Sequence, residues 1–202
     1  MKQIITFIWL LCLAFQPLKA QNEASLLSYK AQANAKIQEI QRKRIKLDYM
    51  QVKKLKQVFI VHQKTSDSIA GSKVDAKQMA KLNEHNDKKW HTTLMNTFTD
   101  QQRLSYLTAL ARPQVDTIAN AKIALLRKSG SYSEQELQQK RKEIAAYYTQ
   151  EQVILLRDQY DVSKRRENQR WLRTLRPKSV KECDYLEKLQ NAGALKDGKI
   201  VW

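Results

Sequence analysis

The scarcity of chain breakers is the feature that most constrains how this chain can fold. Glycine occupies only 4 and proline only 3 of its 202 positions, well below their usual share of a globular protein. Tight turns, β-hairpins and bulges depend on these two residues, whereas helix interiors tolerate them poorly. The chain is therefore predicted to form long helices that are joined by few connections.

Six short stretches have the pattern of a helix start. In each, a Ser, Thr or Asp stands three residues before a Gln or Glu, so that each side chain can bind the other residue's backbone amide. The cap residues would be Asp48, Asp75, Thr99, Ser133, Thr149 and Ser179. Gly71, Gly130 and Pro177 stand where three helices would end, and Pro113 would bend or break another helix.

Between these boundaries the apolar residues recur with a helical period, as Val52, Leu55 and Phe59 show. The apolar stripes are narrow, which favours antiparallel helical hairpins or an open curved helical bundle. We therefore predict an all-α protein of six or seven helices. The predicted helices cover residues 23–46, 48–70, 75–96, 99–128, 133–147, 149–176 and 179–192.

The predicted domain organisation has four parts. These are a signal peptide at 1–20, a polar helical arm at 21–46, a helical domain at 47–176, and a C-terminal helix and tail at 177–202. Within the helical domain, similar helix starts suggest duplicated hairpin units near 47–112 and 132–176.

The first twenty residues, MKQIITFIWLLCLAFQPLKA, have the pattern of a secretory signal peptide. Lys2 precedes an apolar run that ends at Pro17, and the small residue Ala20 stands at the expected cleavage site. The run is too short for a membrane span, which takes roughly 20 residues. We therefore expect a periplasmic protein that is cleaved after Ala20; an uncleaved anchor is the alternative.

The charge predicts anionic partners. Cleavage would remove Lys2 and Lys19 and no acidic residue, which lowers the formal net charge from +17 to +15. Such an excess favours binding to acidic polypeptides, anionic lipid or lipopolysaccharide. Nucleic acid would fit the charge but not the predicted compartment.

The densest basic stretch runs from Arg157 to Lys181, with aromatic residues interleaved. Its candidate residues for binding an anionic partner are Arg165, Arg166, Arg170, Arg173 and Trp171. Arginine attracts anionic groups, and an indole ring adds apolar contact. The alternative is a solvated helix face with Trp171 in the core.

Recognisable catalytic and metal-binding patterns are absent from the sequence, which has no GxSxG, no phosphate-binding glycine loop and no HExxH. His62, His85 and His91 are too few and too poorly spaced for zinc, which normally needs three or four ligands. Cys183 would be the only cysteine after cleavage, so it is expected as a partly buried thiol or, alternatively, in an intermolecular disulfide. We expect no enzymatic activity, metal or cofactor.

The stretch LMNTFTDQQRLSYL resembles the second signature of the Spy/CpxP-type periplasmic family, whose repeated motif is LTxxQ. The three copies in this chain would be Leu47–Gln51, Phe98–Gln102 and Tyr148–Gln152. Phe and Tyr replace Leu in two copies, and Asp replaces Thr in one. The motif residues would then include Thr99, Gln102, Thr149 and Gln152. The resemblance implies an all-α, often dimeric, cradle-shaped envelope protein that binds unfolded clients without ATP or acts in envelope-stress sensing.

The leading functional hypothesis is an exported, non-enzymatic binding protein of chaperone or envelope-stress-adaptor type. It would bind polypeptide clients, or a protein partner in the envelope, through a basic surface with apolar contacts. The alternative is a structural or accessory component of an envelope assembly, such as a secretion or transfer apparatus, with the segment 23–46 and the terminal GKIVW as docking elements. A third hypothesis is peripheral binding to anionic lipid. A homodimer is compatible with all three.

Overall fold

The computed structural model describes residues 26–196 and 199–200, and the side chains of residues 26–194. The predicted signal peptide and its cleavage site lie outside the described residues. The described chain is all-α, as predicted. Its seven helices are α1 (26–42), α2 (Tyr49–Ala70), α3 (Ala76–Thr97), α4 (Asp100–Lys128), α5 (Glu134–Arg157), α6 (Val162–Thr174) and α7 (Lys178–Asn191). Two short antiparallel strands, Leu195–Lys196 and Lys199–Ile200, follow α7.

Four of the six predicted helix starts are confirmed. Asp48 and Ser133 form complete capping boxes at the starts of α2 and α5. Thr99 and Gln102 form another before α4: the Thr99 hydroxyl accepts from the Gln102 backbone N–H at 3.2 Å, and the Gln102 Oε1 accepts from the Thr99 N–H at 2.9 Å. Asp75 caps α3 through its carboxylate. Local hydrogen bonding, read from the sequence, thus fixes most helix boundaries.

The predicted helix start at Thr149 is wrong, because α5 runs without interruption from Glu134 to Arg157. Thr149 lies inside this helix, where its hydroxyl donates to the carbonyl of Ala145 at 2.7 Å. No glycine or proline stands nearby to stop the helix, and a threonine hydroxyl is readily satisfied by the carbonyl four residues earlier. Thr149 and Gln152 therefore do not form a capping box, and the third copy of the motif is not a helix start.

The break falls instead at Asp158, inside the predicted helix 149–176. The Asp158 carboxylate is 4% exposed and accepts two hydrogen bonds from the Arg157 guanidinium, at 2.9 and 2.7 Å, and one from Asn168 at 2.8 Å. Burial alone would raise the pKa of Asp158, but these donors outweigh burial and hold that pKa below its ordinary value. Asp161 then caps α6, so two aspartates define this turn.

Helix α7 begins close to the predicted position but with a different cap. Pro177 is its N-cap and provides no side-chain hydrogen bond, whereas the predicted cap, Ser179, is a buried residue of the first turn. The Ser179 hydroxyl has no hydrogen-bond partner in the described part of the chain. Proline suits a helix start because the N–H that it lacks would be unpaired there.

The helix ends follow the predicted glycines. Gly71 caps α2, and Gly130 follows α4 with a φ of +67°, which lies in the left-handed region that favours glycine. Arg44, after α1, adopts a φ of +63° without that freedom, and this conformation costs a residue with a Cβ about 1 to 2 kcal/mol. Pro113 lies inside α4, which continues past it.

The chain divides into two compact units, Met1–Gln102 and Arg103–Trp202. This division differs from the predicted segments, which ended at residues 46 and 176. In the first unit the apolar stripe of α1, formed by Ala33, Ile37 and Ile40, is buried. Burying a stripe of this kind is what holds a short helix in place, so α1 is a packed helix and not a free arm.

Helices α2 and α3 form an antiparallel hairpin within the first unit. Gln51, near the start of α2, contacts Thr97 at the end of α3, whereas Ser66, near the end of α2, contacts Asn86. The buried apolar side chains of this unit lie on one stripe of each helix, in keeping with the predicted narrow stripes. They include Leu55, Phe59, Ile69, Leu94 and Met95.

The core of the second unit draws on α4, α5, α6 and α7. It comprises Ala119, Ile123, Leu126, Leu137, Ile144, Tyr147, Ile154, Leu172, Val180 and Cys183. Helix α7 therefore belongs to this core and is not a separate tail. It is also tied to α4 by Lys122, whose Nζ lies 3.1 Å from Asp184 Oδ1 and 2.7 Å from Glu187 Oε2. Burial would lower the pKa of Lys122, but its hydrogen bonds to Glu187 and Asp184 outweigh burial and raise it.

Candidate binding surface

Helix α6 carries the predicted binding residues. Its sequence, VSKRRENQRWLRT, has five basic residues and one acidic residue. Its one buried side chain is Leu172, which belongs to the core of the second unit. Because a single apolar residue anchors the helix, most of its surface faces solvent.

Three arginines form a stripe on the exposed side of α6. Arg166, Arg170 and Arg173 are exposed, and their spacing of four and three residues places them on one helical face. Within the described part of the chain none of the three makes an ion pair. A guanidinium without an internal partner can bind a carboxylate or phosphate through two parallel hydrogen bonds.

An exposed aromatic ring borders this arginine stripe. Trp171 is 60% exposed, and Leu175, four residues later, is 54% exposed. The alternative prediction, with Trp171 in the core, is wrong because Leu172 occupies the core position. A largely exposed indole beside three arginines that pair with no described residue offers both the apolar contact and the charge that a binding surface uses. We call Arg166, Arg170, Trp171 and Arg173 the α6 surface.

Arg165, the fifth predicted binding residue, has a different role. It is half-buried, and its Nη1 donates to the carbonyl of Gln159 at 3.3 Å. This contact joins α6 to the turn that precedes it. Arg165 therefore helps to hold the helix in position and is not part of the α6 surface.

The first two motif copies meet through their glutamines. The Gln51 Nε2 donates to the Gln102 Oε1 at 2.8 Å, and the Gln102 Nε2 donates to the Gln51 Oε1 at 3.1 Å. Each Nε2 also donates to a backbone carbonyl just before the other copy: Gln51 to Thr97 at 2.9 Å, and Gln102 to Lys46 at 2.5 Å. We call this pairing of Gln51 and Gln102 the glutamine clasp.

Both amides of the clasp use their full hydrogen-bonding capacity. Each oxygen accepts a second bond from the backbone N–H of its own cap residue, Asp48 at 3.1 Å and Thr99 at 2.9 Å. An amide group offers two donors and two acceptor positions, and all of them are occupied here. Thr99 and Gln102 thus have a structural role: they start α4 and close the base of the α2–α3 hairpin.

The sequence analysis treated these boxes as separate helix starts and missed their contact. The spacing between Gln51 and Gln102 could have predicted this contact. Two consecutive antiparallel helices of equal length, 22 residues each, bring the start of the first helix next to the end of the second. Gln152 of the third copy is buried inside α5 and has no part in the clasp.

A cavity of about 470 Å³ lies between α1, α2 and α3. We call it the aromatic cavity, and its lining is Gln32, Ala33, Ala35, Lys36, Glu39, Phe59, His62, Gln63 and Trp90. The ring centroids of Phe59 and His62 lie 6.1 and 5.3 Å from that of Trp90. The sequence analysis placed Phe59 on an apolar stripe and did not predict a cavity. The small residues of α1 that face these rings, Ala33 and Ala35, are the sequence feature that could have indicated a cavity.

The histidines of the described residues do not come together in a metal site. His62 lies 2.8 Å from Asp87, between Nε2 and Oδ1, whereas His85 is exposed and His91 is buried. Among the described residues no group of three or more His, Cys, Asp or Glu side chains could hold a metal ion. Burial raises the pKa of the Cys183 thiol to about 11, so at neutral pH it is not the reactive thiolate.

Comparisons with known proteins return no match, whether with family models, curated proteins or solved structures. None of the helices in the described part of the chain is long and apolar enough to cross a membrane. The function must therefore be argued from the surfaces themselves.

Proposed function

We propose that this protein is an exported, non-enzymatic binding protein of chaperone-like type, which captures acidic segments of polypeptide clients on the α6 surface. The observation that carries this proposal is the combination, on one helix, of a largely exposed Trp171 and three exposed arginines that make no ion pair with any described residue. Leu172 is the one buried side chain of that helix, and Arg165 and Asn168 tie the helix to the preceding turn. Few positions of α6 are therefore needed for folding, and the remaining positions expose charged side chains and an aromatic ring to solvent.

Capture has an electrostatic step and an apolar step. The formal net charge, +17 for the full chain and +15 after the expected cleavage, attracts acidic segments over distances of about 10 Å at moderate salt, which speeds encounter. Arg166, Arg170 and Arg173 then pair with client carboxylates. Trp171 and Leu175 cover apolar side chains that an unfolded client exposes, and this contact slows dissociation.

We also propose that the first two motif copies belong to one unit of the Spy/CpxP type. The support is that the glutamine clasp joins the copy at Asp48–Gln51 with the copy at Thr99–Gln102, so that both close the same hairpin. Export to the periplasm, as an adaptor or chaperone of the envelope, is part of this proposal.

The test is suppression of aggregation of an acidic, chemically unfolded client, measured by light scattering at low and high salt. Replacing Arg166, Arg170 and Arg173 by Gln should remove most of the suppression at low salt. The matched control replaces three exposed lysines of α3, Lys77, Lys81 and Lys88, by Gln. It lowers the net charge equally and should leave most of the suppression intact.

Two results would refute the proposal. One is no suppression by the unaltered protein at either salt concentration, and the other is an equal loss in both charge variants. Trp171→Ala should raise the dissociation rate of the client more than it lowers the association rate, because the ring acts after encounter. Crosslinking that captures one stable envelope partner, and no varied clients, would favour the structural-component hypothesis instead.

A further inference from the structure

The aromatic cavity in the first unit is too large to be a packing defect. Well-packed interiors hold few voids larger than a water molecule, whereas ligand pockets span roughly 300 to 1,000 Å³. At about 470 Å³ the cavity falls within the ligand range. Side chains from three helices of one compact unit line it.

The interior of the cavity suits an apolar group. Phe59 and Ala33 are buried, and the rings of Phe59, His62 and Trp90 lie together on one side.

Two charged side chains, Lys36 and Glu39, stand in the polar rim, and Lys43, which is not part of the lining, adds a second cation beside Glu39. Glu39 accepts from Lys36 at 3.3 Å and from Lys43 at 2.9 Å, so two ammonium groups share one carboxylate. The hydrogen bond from Lys43, which outweighs burial, lowers the pKa of Glu39, so Glu39 stays charged and balances only one of them. The Lys36 side chain is 61% exposed and can turn toward an anionic group at the cavity mouth.

We propose that the aromatic cavity binds a small amphiphile with one anionic head and an unbranched apolar body, of the medium-chain carboxylate class. The body lies against Phe59 and Trp90, and the head pairs with Lys36 at the rim. This site is separate from the α6 surface and gives the protein a second ligand, chemically unlike a polypeptide client. A cationic amphiphile is disfavoured by the same rim charge.

Isothermal titration with octanoate, decanoate and dodecanoate, each below its micelle concentration, tests the proposal on the full chain. Each added pair of methylenes should tighten binding by roughly fifteenfold until the cavity is filled, since burial of one methylene corresponds to about fourfold in affinity. Trp90 fluorescence should change in the same titration. The absence of saturable binding to dodecanoate would overturn the proposal.

Ala33→Leu fills the cavity and should weaken decanoate binding at least tenfold. The matched control is Ala31→Leu, which adds the same bulk at an exposed position of α1 outside the lining and should bind as the unaltered chain does. An equal loss in both variants, or no loss in Ala33→Leu, would show that the ligand binds elsewhere.

A second pair of variants keeps the test valid if Ala33→Leu does not fold. Lys36→Gln should weaken decanoate binding severalfold and leave decanol binding unchanged, whereas Lys30→Gln, an exposed charge change on the same helix, should affect neither ligand. Tighter binding of decanol than of decanoate to the unaltered chain would refute the anionic head. The α6 surface variants should bind decanoate normally, which separates this proposal from the proposed function.

Discussion

The glutamine clasp predicts that replacing one glutamine will weaken the contact between the two chain segments at the base of the α2–α3 hairpin. Gln102→Ala removes four hydrogen bonds: one to the Lys46 carbonyl, one from the Thr99 N–H, and two shared with Gln51. The change also leaves the amide of Gln51 with half of its partners. The affected groups are half-buried, so water can replace part of what is lost.

The magnitude follows from these contacts. Loss of the cap bond costs about 1 kcal/mol, and the bonds to Gln51 and Lys46 add about 0.5 to 1 kcal/mol each after rehydration. We therefore expect Gln102→Ala to lower the free energy of unfolding by about 2.5 to 4 kcal/mol. Gln51→Ala should cost a similar amount, and the double variant should cost about 1 to 2 kcal/mol less than the sum, since both single changes remove the same shared bonds.

The assay is urea unfolding of the four proteins of this cycle, followed by circular dichroism and linear extrapolation. Gln101→Ala, at the exposed neighbouring position, is the control and should change stability by less than about 0.5 kcal/mol. Thr99→Ala should cost about 1 kcal/mol, whereas Thr149→Ala should cost almost nothing. Strict additivity of Gln51→Ala and Gln102→Ala would contradict the clasp.

Three further predictions concern single residues. Lys122→Ala should destabilise the protein by about 2 kcal/mol in urea unfolding, because Asp184 and Glu187 lose their shared cation while Asp184 keeps its ion pair with Arg176; Lys122→Met, which fills the space, should cost less. The pKa of Cys183 is raised by burial from 9.0 to about 11, so its contribution to stability should be full below pH 9 and fall as the pH rises toward 11. Thermal unfolding of Cys183→Ser beside the unaltered chain would show whether that decline disappears. Arg44→Gly should stabilise the protein by about 0.5 kcal/mol in chemical unfolding, since glycine adopts a positive φ without strain; a loss of stability would mean that the arginine side chain matters more than its backbone.

The sequence predicted what depends on neighbours along the chain. The number of helices and most of their boundaries follow from cap residues, glycines and apolar spacing, because each is set within one turn of helix. The boundary between α5 and α6 escaped prediction because it depends on Asn168 reaching back to a buried Asp158. The predicted helix start at Thr149 was wrong because the local pattern of a cap also occurs inside a helix, where the Thr149 hydroxyl bonds to the carbonyl of Ala145.

The candidate sites show the same division. The sequence showed that α6 is basic and that Trp171 was a candidate binding residue. It did not show whether Trp171 is exposed, because that depends on Leu172 occupying the core position. Phe59 and Trp90 stand far apart in sequence, and the cavity that they line exists only because α1 places small residues beside them. Contacts of this kind depend on helix rotation and packing, which no local pattern encodes.

The glutamine clasp also indicates where this chain can tolerate an insertion or a backbone cut. It holds the outgoing segment at Lys46 and the returning segment at Thr97 together at the base of the hairpin, so the turn at residues 71–75 is not needed to keep the two helices paired. Extra sequence placed in that turn, or a cut through it, would leave the base joined. The hairpin tip is therefore a place where a reporter or a new recognition loop can be inserted at little thermodynamic cost.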